Sequence, residues 1–277
     1  MLINLWGRTL LSPLSFKLLA QDPGMSVSGF APEAARGGQL RIAAFTHGYL
    51  QSMFTGRHRD AHRDNFVRMC AEIFRHADAD LLCCSEVGDF RQGFSREDIA
   101  EVLPDLCQAF GKPMSHSWID NYAALWTCGA ADERNGGASQ PARVTLVDCQ
   151  NYKLSVEPGA DAAITAFDVV TPTGERYLVV VGNMHIVCTA NMFRTPHSRK
   201  MAVKRLGERL LTHVSAPEIP VVRVIVGNNN LTSHQVMSAL QRGTDSDPLW
   251  RVFATAADRP GDNAAVQGAT AHCGPER

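Results

Sequence analysis

Short runs of apolar residues recur along the chain and predict β-strands that are buried in a core. The run at residues 221–226 (VVRVIV) is the clearest, because apolar groups at nearly every position are typical of a strand covered on both faces. Shorter runs of the same kind predict further strands, at residues 40–45, 80–84, 122–127, 143–148, 163–170, 177–181, 249–254 and 264–266.

Helical periodicity separates several of these runs. Apolar residues three and four positions apart predict amphipathic helices at residues 60–76 and 196–214. Residues 95–110 predict another helix, kinked or interrupted at Pro104, because proline removes a hydrogen bond from a helix interior. A fourth helix is predicted to end at Leu240. Strands that alternate with helices and short hairpins indicate an α/β (α+β) fold of two packed sheets flanked by helices.

The folded domain is predicted to span residues 39–270. Residues 22–38 are rich in Pro, Gly, Ala and Ser, which is typical of a linker, and residues 1–38 as a whole are interpreted as a poorly ordered N-terminal extension. Residues 271–277 are interpreted as a C-terminal tail. One large domain is favoured over two, because no internal linker divides the chain.

Polar side chains follow five of the predicted strands at the point where each strand ends. In open α/β architectures, ligands are bound at such strand ends, so these residues are the candidate site. The strand at 221–226 stops at Gly227 and is followed by three asparagines, and a tight turn is predicted before the last strand. The candidate residues are Thr46 and His47; Glu86; His185; Asn228, Asn229 and Asn230; and Asp262 and Asn263.

Each candidate also has a plainer interpretation when it is considered alone. Asparagines fill turns because they tolerate left-handed backbone and bond to their own chain, so the triplet Asn228 to Asn230 fits a turn. Glu86 is either a ligand for a hard cation or the surface end of a strand. His185 is a phosphate donor, a proton shuttle or a histidine at the margin of the core.

Composition and charge limit the classes of function. The 277 residues are 45% apolar and 20% charged, as in an ordinary soluble globular protein with a large core. The formal net charge of −1 argues against a dominating basic surface, so any contact with nucleic acid must rest on a local patch. The mainly basic outward face of the 196–214 helix fits such a patch as well as an ordinary solvated surface. No apolar run reaches the roughly 18 residues that a membrane span requires.

Cysteine usage and the N-terminal segment bear on the compartment. The 8 cysteines include no pair with C-x-x-C spacing, which predicts an intracellular reducing compartment without a disulfide framework or a cysteine-based zinc site. Residues 1–21 contain Arg8 and Lys17 but no acid, a composition that fits an organelle transit peptide as well as a plain extension.

The order and content of the strand ends resemble the endonuclease/exonuclease/phosphatase superfamily, which has the fold of DNase I, abasic-site endonucleases and inositol-phosphate phosphatases. In that superfamily, successive strands end in W-N, Q-E, T-H or similar, G-D-x-N and S-D-H. The corresponding positions here are Phe45-Thr46, Ser85-Glu86, Met184-His185, Gly227-Asn228-Asn229-Asn230 and Gly261-Asp262-Asn263. The resemblance covers residues 39 to about 270 and implies a DNase I-like four-layer αββα sandwich of two mixed sheets.

The resemblance also implies roles for these residues. Glu86 would be the ligand of Mg²⁺ or Mn²⁺, His185 a phosphate contact, and Asn230 an amide that orients the phosphate. Asp262 would be the acid of the terminal pair. The substrate implied is a phosphoester, with nucleic acid and nucleotides among the candidates. The positions expected to contact that substrate are Thr46, His47 and Asn263.

Three positions depart from the superfamily pattern. Thr46 replaces an asparagine, Asn228 replaces the aspartate that positions or deprotonates water, and Asn263 replaces a histidine. A carboxamide cannot accept a proton at neutral pH, so Asn228 can orient water but cannot be a general base, a role worth about 10²–10⁴-fold in rate. His47 or His234 would have to supply a replacement base.

Two functions therefore remain open. One is a magnesium-dependent phosphodiester hydrolase with an impaired site. The other is a non-catalytic pseudoenzyme that keeps the fold as a binding or scaffold domain. Neither the identity of the substrate nor the oligomeric state follows from the sequence.

Overall fold

A computed structural model describes residues 2–4, 41–46, 59–77, 79–85, 87, 96–119, 122–127, 142–154, 161–171, 174–186, 195–214, 218–241, 250–254 and 261–268 of the chain. For Leu2–Asn4, Arg251–Ala254, Gly261–Gly268 and parts of three other elements, it describes the backbone alone.

The first sheet contains β1 (Leu2–Asn4), β2 (Arg41–Thr46), β3 (Leu81–Ser85), β4 (Met114–Ile119) and β5 (Tyr122–Thr127). Its strand order is β1-β2-β3-β5-β4. β2 and β3 run parallel and the other neighbours run antiparallel, so the sheet is mixed. β1 belongs to the segment interpreted as an extension, and it pairs with β2.

The second sheet contains β6 (Arg143–Lys153), β7 (Asp161–Val170), β8 (Arg176–His185), β9 (Val221–Leu231), β10 (Arg251–Ala254) and β11 (Gly261–Gly268). Its order is β10-β11-β9-β8-β7-β6. Only the pair β8 and β9 is parallel among the described strands of this sheet. Both sheets therefore contain one parallel pair near the middle, which brings the carboxyl ends of two neighbouring strands together.

Helices cover the face of each sheet that is turned away from the other sheet. The helices among the described residues are α1 (Arg59–Ala77), α2 (Arg96–Phe110), α3 (Pro196–His213) and α4 (Ser233–Leu240). α1 and α2 bury residues such as Phe66 and Leu106 against Leu82 of β3. α3 and α4 bury Leu206 and Val236 against the second sheet. None of these helices is long and apolar enough to span a membrane.

A third apolar cluster lies between the two sheets, and we call it the inter-sheet layer. It is built from alternate residues of facing strands, as the two-residue period of a strand requires. Its members include Ile42, Ala44, Leu81, Cys83, Ala124, Trp126, Phe167, Val169, Val179, Val181, Val224 and Val226. The predicted sandwich of two mixed sheets flanked by helices is therefore confirmed.

Several elements run further than their local sequence predicts. α2 continues through Pro104, so the helix is not interrupted there, while the alternative of a kink stays a prediction. One lost backbone bond is tolerated because Val102 and Leu106 stay buried on either side. β8 does not end at Val181 but continues through His185, where it pairs with β9.

The asparagine triplet and the last predicted turn are also part of strands. β9 continues past Gly227 through the three asparagines to Leu231, so the triplet does not form a separate turn. Asp262 and Asn263 lie in β11 and not in a turn. In both cases, pairing with neighbouring strands supplies backbone partners that the local sequence does not reveal.

Candidate functional site

The polar strand ends converge on one edge of the sandwich. In the first sheet, Thr46 at the end of β2 is the Cα partner of Ser85, the last residue of β3. In the second sheet, Asn228 is the Cα partner of both His185 on β8 and Asp262 on β11. The backbone therefore places His185, Asn228 and Asp262 side by side in one row across three strands.

Two side chains connect the strand ends of the two sheets. The Nδ2 atom of Asn183 on β8 donates a hydrogen bond to the carbonyl oxygen of Cys84 on β3, at 2.8 Å. The backbone N–H of His185 donates to the hydroxyl oxygen of Tyr122 on β5, at 3.0 Å. That hydroxyl donates to the carbonyl oxygen of Asp161, at 2.6 Å. The polar edge of one sheet is thus held against the polar edge of the other.

A bulge in β9 shapes the asparagine triplet. Leu231 is opposite Gly261 and Asn228 is opposite Asp262, so β9 places two extra residues, Asn229 and Asn230, between positions that are adjacent on β11. Asn230 has a φ of 53°, in the left-handed region that asparagine tolerates better than most residues.

The amide groups of the triplet form hydrogen bonds with the backbone around the bulge. Oδ1 of Asn228 accepts from the N–H of Asn230 at 3.2 Å, and Oδ1 of Asn229 accepts from the N–H of Leu231 at 3.1 Å. Nδ2 of Asn230 donates to the carbonyl oxygen of Ile186 at 2.8 Å. Each of these amides therefore supports the backbone around the bulge, and Asn230 has a second side-chain N–H beyond the one given to Ile186.

His185 and Ser85 show that polar groups are buried at this end of the inter-sheet layer. His185 is 8% exposed and Ser85 is fully buried. Cys83 and Cys84 precede Ser85, and burial raises the pKa of the Cys83 thiol to about 12 and that of Cys84 well above its ordinary value of 9.0. Both are protonated at neutral pH, so neither supplies a thiolate nucleophile here.

Metal binding at this edge would rest on oxygen ligands. Among the side chains that the structure describes, no group of three or more His, Cys, Asp or Glu could hold a metal ion. The sequence adds Glu86 directly after the buried Ser85, and the backbone puts Asp262 opposite Asn228. Carboxylate and carboxamide oxygens are hard donors, so these residue types fit Mg²⁺ or Mn²⁺ in kind.

Comparison with known proteins gives a fold but no sequence relative. No protein-family model matches the sequence, and no curated protein sequence matches it. An endonuclease/exonuclease/phosphatase family protein from Bacteroides thetaiotaomicron superposes with a TM-score of 0.50 at 13% sequence identity, over 82% of this chain and 82% of that chain. The chain has the endonuclease/exonuclease/phosphatase fold.

Two other solved structures are similar at slightly lower scores. A mannosyl-6-phosphatase of Bacteroides thetaiotaomicron has a TM-score of 0.49 at 12% identity, over 82% of this chain and 85% of that chain. A D. rerio TDP2 humanised by 14 mutations has a TM-score of 0.49 at 12% identity, over 86% of this chain and 85% of that chain. The match at a TM-score of 0.50 confirms the resemblance inferred from the strand ends at the level of the endonuclease/exonuclease/phosphatase fold.

The roles predicted for individual residues of this fold remain predictions. His185, Asn228 and Asn230 lie together at the site edge with their side chains described. Thr46, Asp262 and Asn263 lie at the same edge by their backbone positions. The proposed metal ligand Glu86 and one of the two candidate replacement bases, His47, lie outside the described residues. The other candidate base, His234, is exposed on the first turn of α4.

Tyr122 and Asn183 are two residues at this edge that the sequence does not single out. Tyr122 opens an apolar strand, and Asn183 lies just beyond the strand predicted at residues 177–181. The only local signal is that Asn183 is a buried amide in an otherwise apolar run, and such an amide requires a hydrogen-bond partner.

Proposed function

We propose that this protein is a metal-dependent phosphoester hydrolase that acts on a phosphodiester, with a rate limited by its incomplete site. The observation that carries this proposal is the row formed by His185, Asn228 and Asp262, at the same end of the sandwich as the strand that leads into Glu86. We propose nucleic acids and nucleotides as the class of substrate.

The described side chains suit binding of a phosphoryl group better than proton transfer. His185 is a donor to a phosphoryl oxygen, and the remaining N–H of Asn230 is a second donor. Asn228 orients a water molecule through hydrogen bonds but does not accept its proton. We therefore expect binding and orientation to be retained while the rate of hydrolysis is low.

Glu86 and Asp262 are the residues that would hold the metal. When bound, a divalent cation would neutralise negative charge on the phosphoryl oxygens. Few protein ligands are sufficient for magnesium, since this ion retains several of its water molecules in protein sites.

The alternative function is a non-catalytic domain that binds a phosphoester without cleaving it. One contact favours this alternative: Oδ1 of Asn228 is already the acceptor for the backbone N–H of Asn230. An amide oxygen that supports the bulge is less able to accept a hydrogen bond from water, so Asn228 would then be a structural residue.

The decisive experiment is magnesium-dependent hydrolysis of bis(4-nitrophenyl) phosphate by the wild type, Glu86→Gln and Asn228→Asp. The proposed function predicts a measurable wild-type rate, loss of that rate in Glu86→Gln, and an increase of about 10²-fold or more in Asn228→Asp. Activity that first emerges in Asn228→Asp supports the non-catalytic alternative. A wild-type rate that Glu86→Gln leaves unchanged contradicts the assignment of the site.

Glu218→Gln is the matched control for Glu86→Gln. Glu218 is exposed in the turn before β9, at the opposite end of that strand from the asparagine triplet. The same change of a carboxylate to a carboxamide at this position should leave the rate of hydrolysis unaltered.

A further inference from the structure

The hydroxyl of Tyr122, a residue of the first sheet, completes the hydrogen bonding at the end of the β7–β8 ladder in the second sheet. The ladder between β7 and β8 runs in regular register from Val170 and Arg176 to Ala162 and Met184. The next two residues are Asp161 and His185, and the hydroxyl of Tyr122 stands between them. It accepts from the N–H of His185 at 3.0 Å and donates to the carbonyl oxygen of Asp161 at 2.6 Å.

The position of Tyr122 in its own sheet links this rung to the predicted metal ligand. Tyr122 is the Cα partner of Ser85, the residue directly before Glu86. It is 4% exposed, so its ring is fixed in the interior between the two sheets. This side chain therefore connects the backbone of His185 to β5, the strand that pairs with β3 where β3 leads into Glu86.

A second hydrogen bond joins β8 directly to β3. Nδ2 of Asn183, two residues before His185, donates to the carbonyl oxygen of Cys84, two residues before Glu86. We call this bond and the Tyr122 to His185 bond the clasp. Both bonds are directional and buried, so they limit sliding of β8 relative to β3 more tightly than apolar contacts do.

We propose that Tyr122 is a positioning residue, whose hydroxyl holds His185 in register with the first sheet at the point where β3 leads into Glu86. This inference rests on the proposed function, because a phosphate contact and a metal ligand must act on the same phosphoryl group. A displacement of about 1 Å between reacting groups can cost about 100-fold in rate. The clasp therefore affects the chemical step, while Tyr122 itself does not contact the substrate.

The test is the variant Tyr122→Phe, which keeps the ring and removes the hydroxyl. With bis(4-nitrophenyl) phosphate and magnesium, we expect kcat to fall about tenfold while KM changes by less than about twofold. If the wild-type rate is too low to measure, the comparison is made in the Asn228→Asp background. Tyr152→Phe, which removes a tyrosine hydroxyl on the helix-covered side of the second sheet, is the matched control and should change neither constant.

Hydrogen exchange of the metal-free protein, followed by NMR, gives a readout that does not depend on activity. Tyr122→Phe should accelerate exchange of the His185 amide at least tenfold, because this N–H loses its acceptor. The Met184 amide, which lies within the regular ladder, should exchange at the wild-type rate. Acceleration over the whole second sheet would instead indicate general destabilisation and would overturn the proposal.

The two proposals fail in different ways. If the wild type shows no magnesium-dependent hydrolysis that requires Glu86, the proposed function fails, and exchange at His185 then decides whether the clasp exists. If activity is present and Tyr122→Phe leaves kcat unaltered, the positioning role of Tyr122 is wrong. If Tyr122→Phe does not fold, Asn183→Leu removes the other bond of the clasp, and an unchanged kcat in that variant would overturn the proposal equally.

Discussion

The two ends of the inter-sheet layer contain different types of residue, apolar at one end and polar at the other. At the end away from the site, Trp126 and Phe167 meet edge to face with ring centroids 5.2 Å apart, among buried aliphatic side chains such as Ile42 and Leu81. At the site end, the buried residues are polar, and hydrogen bonds from Asn183 and Tyr122 hold the sheets together.

Apolar packing and buried hydrogen bonds make different contributions: the first stabilises the fold, and the second fixes the geometry of the site. Apolar packing is non-directional and stabilises the sandwich roughly in proportion to the area buried. Buried hydrogen bonds add little net stability but fix the relative position of the groups that they join. We therefore expect substitutions at the apolar end to change the free energy of unfolding, and substitutions at the polar end to change the rate or affinity of the site.

The largest loss of stability is expected from Phe167→Ala. The ring is completely buried, so its removal should lower the free energy of unfolding by about 3–5 kcal/mol, as measured by urea denaturation. Activity per folded molecule should stay at the wild-type level, because Phe167 is remote from the polar edge. Phe167→Leu, which keeps most of the volume, should cost less than about 2 kcal/mol. Loss of activity in a folded Phe167→Ala protein would show that the two ends are not independent.

Gly227→Ala should affect both properties, because this residue lies at the junction between the apolar run of β9 and its asparagines. Its φ is +112°, and an added Cβ would overlap the carbonyl oxygen of Met184 on the neighbouring strand. Strain of this kind costs about 1–3 kcal/mol, and relief of the overlap must displace β9 from β8 beside His185. We expect a lower free energy of unfolding together with reduced activity.

Gly174→Ala tests the effect of backbone strain without displacement of a neighbouring strand. Gly174 also has a positive φ, of +86°, but nothing lies within 4 Å of the added Cβ. This variant should lose about 1–2 kcal/mol through backbone strain and keep its activity. Equal losses of activity in the two glycine variants would contradict the view that Gly227 permits close approach of β8 and β9.

Local patterns account for the helices and strands but not for the full length of the site strands. The apolar run at 221–226 predicts the core of β9, since a buried strand requires such a run wherever it pairs. Its continuation through Asn228 to Leu231 depends on β8 and β11, which supply backbone partners from other parts of the chain. The same reason explains why Asp262, predicted in a turn, lies in β11.

The sequence predicts which polar strand ends lie close together, but not the hydrogen bonds that join them. His185 and Asn228 lie side by side because β8 and β9 are parallel, and parallel strands end at the same side of a sheet. The clasp could not be predicted, since Tyr122 is 63 residues from His185 and Asn183 is 99 residues from Cys84. A hydroxyl that bonds to the backbone of another sheet produces no periodic pattern in the sequence from which the contact could be predicted.

The smallest effect that we predict concerns pH and lies outside the inter-sheet layer. The His213 side chain in the last turn of α3 is buried, and Nε2 lies 3.2 Å from Oδ2 of Asp148 on β6. Burial lowers the pKa of His213 below its ordinary value of 6.5, Arg209 lowers it further, and Asp148 opposes both. The unfolded chain therefore binds a proton at a higher pH than the folded protein does.

The sign of the pH effect follows from this difference. Well above pH 6.5, His213 is neutral in both states and contributes no pH dependence. As the pH falls through 6.5, the unfolded state gains a proton first, so stability falls as the pH approaches the folded pKa. Urea denaturation at a series of pH values should show a shallower acid slope in His213→Gln than in the wild type. In Asp148→Asn, the folded pKa should fall further, so the loss of stability should extend to lower pH. A steeper acid slope in His213→Gln would mean that Asp148 outweighs burial and that His213 is a stabilising cation. The contact between His213 and Asp148 would then resemble the directional contacts of the polar edge and not the packing of the apolar end.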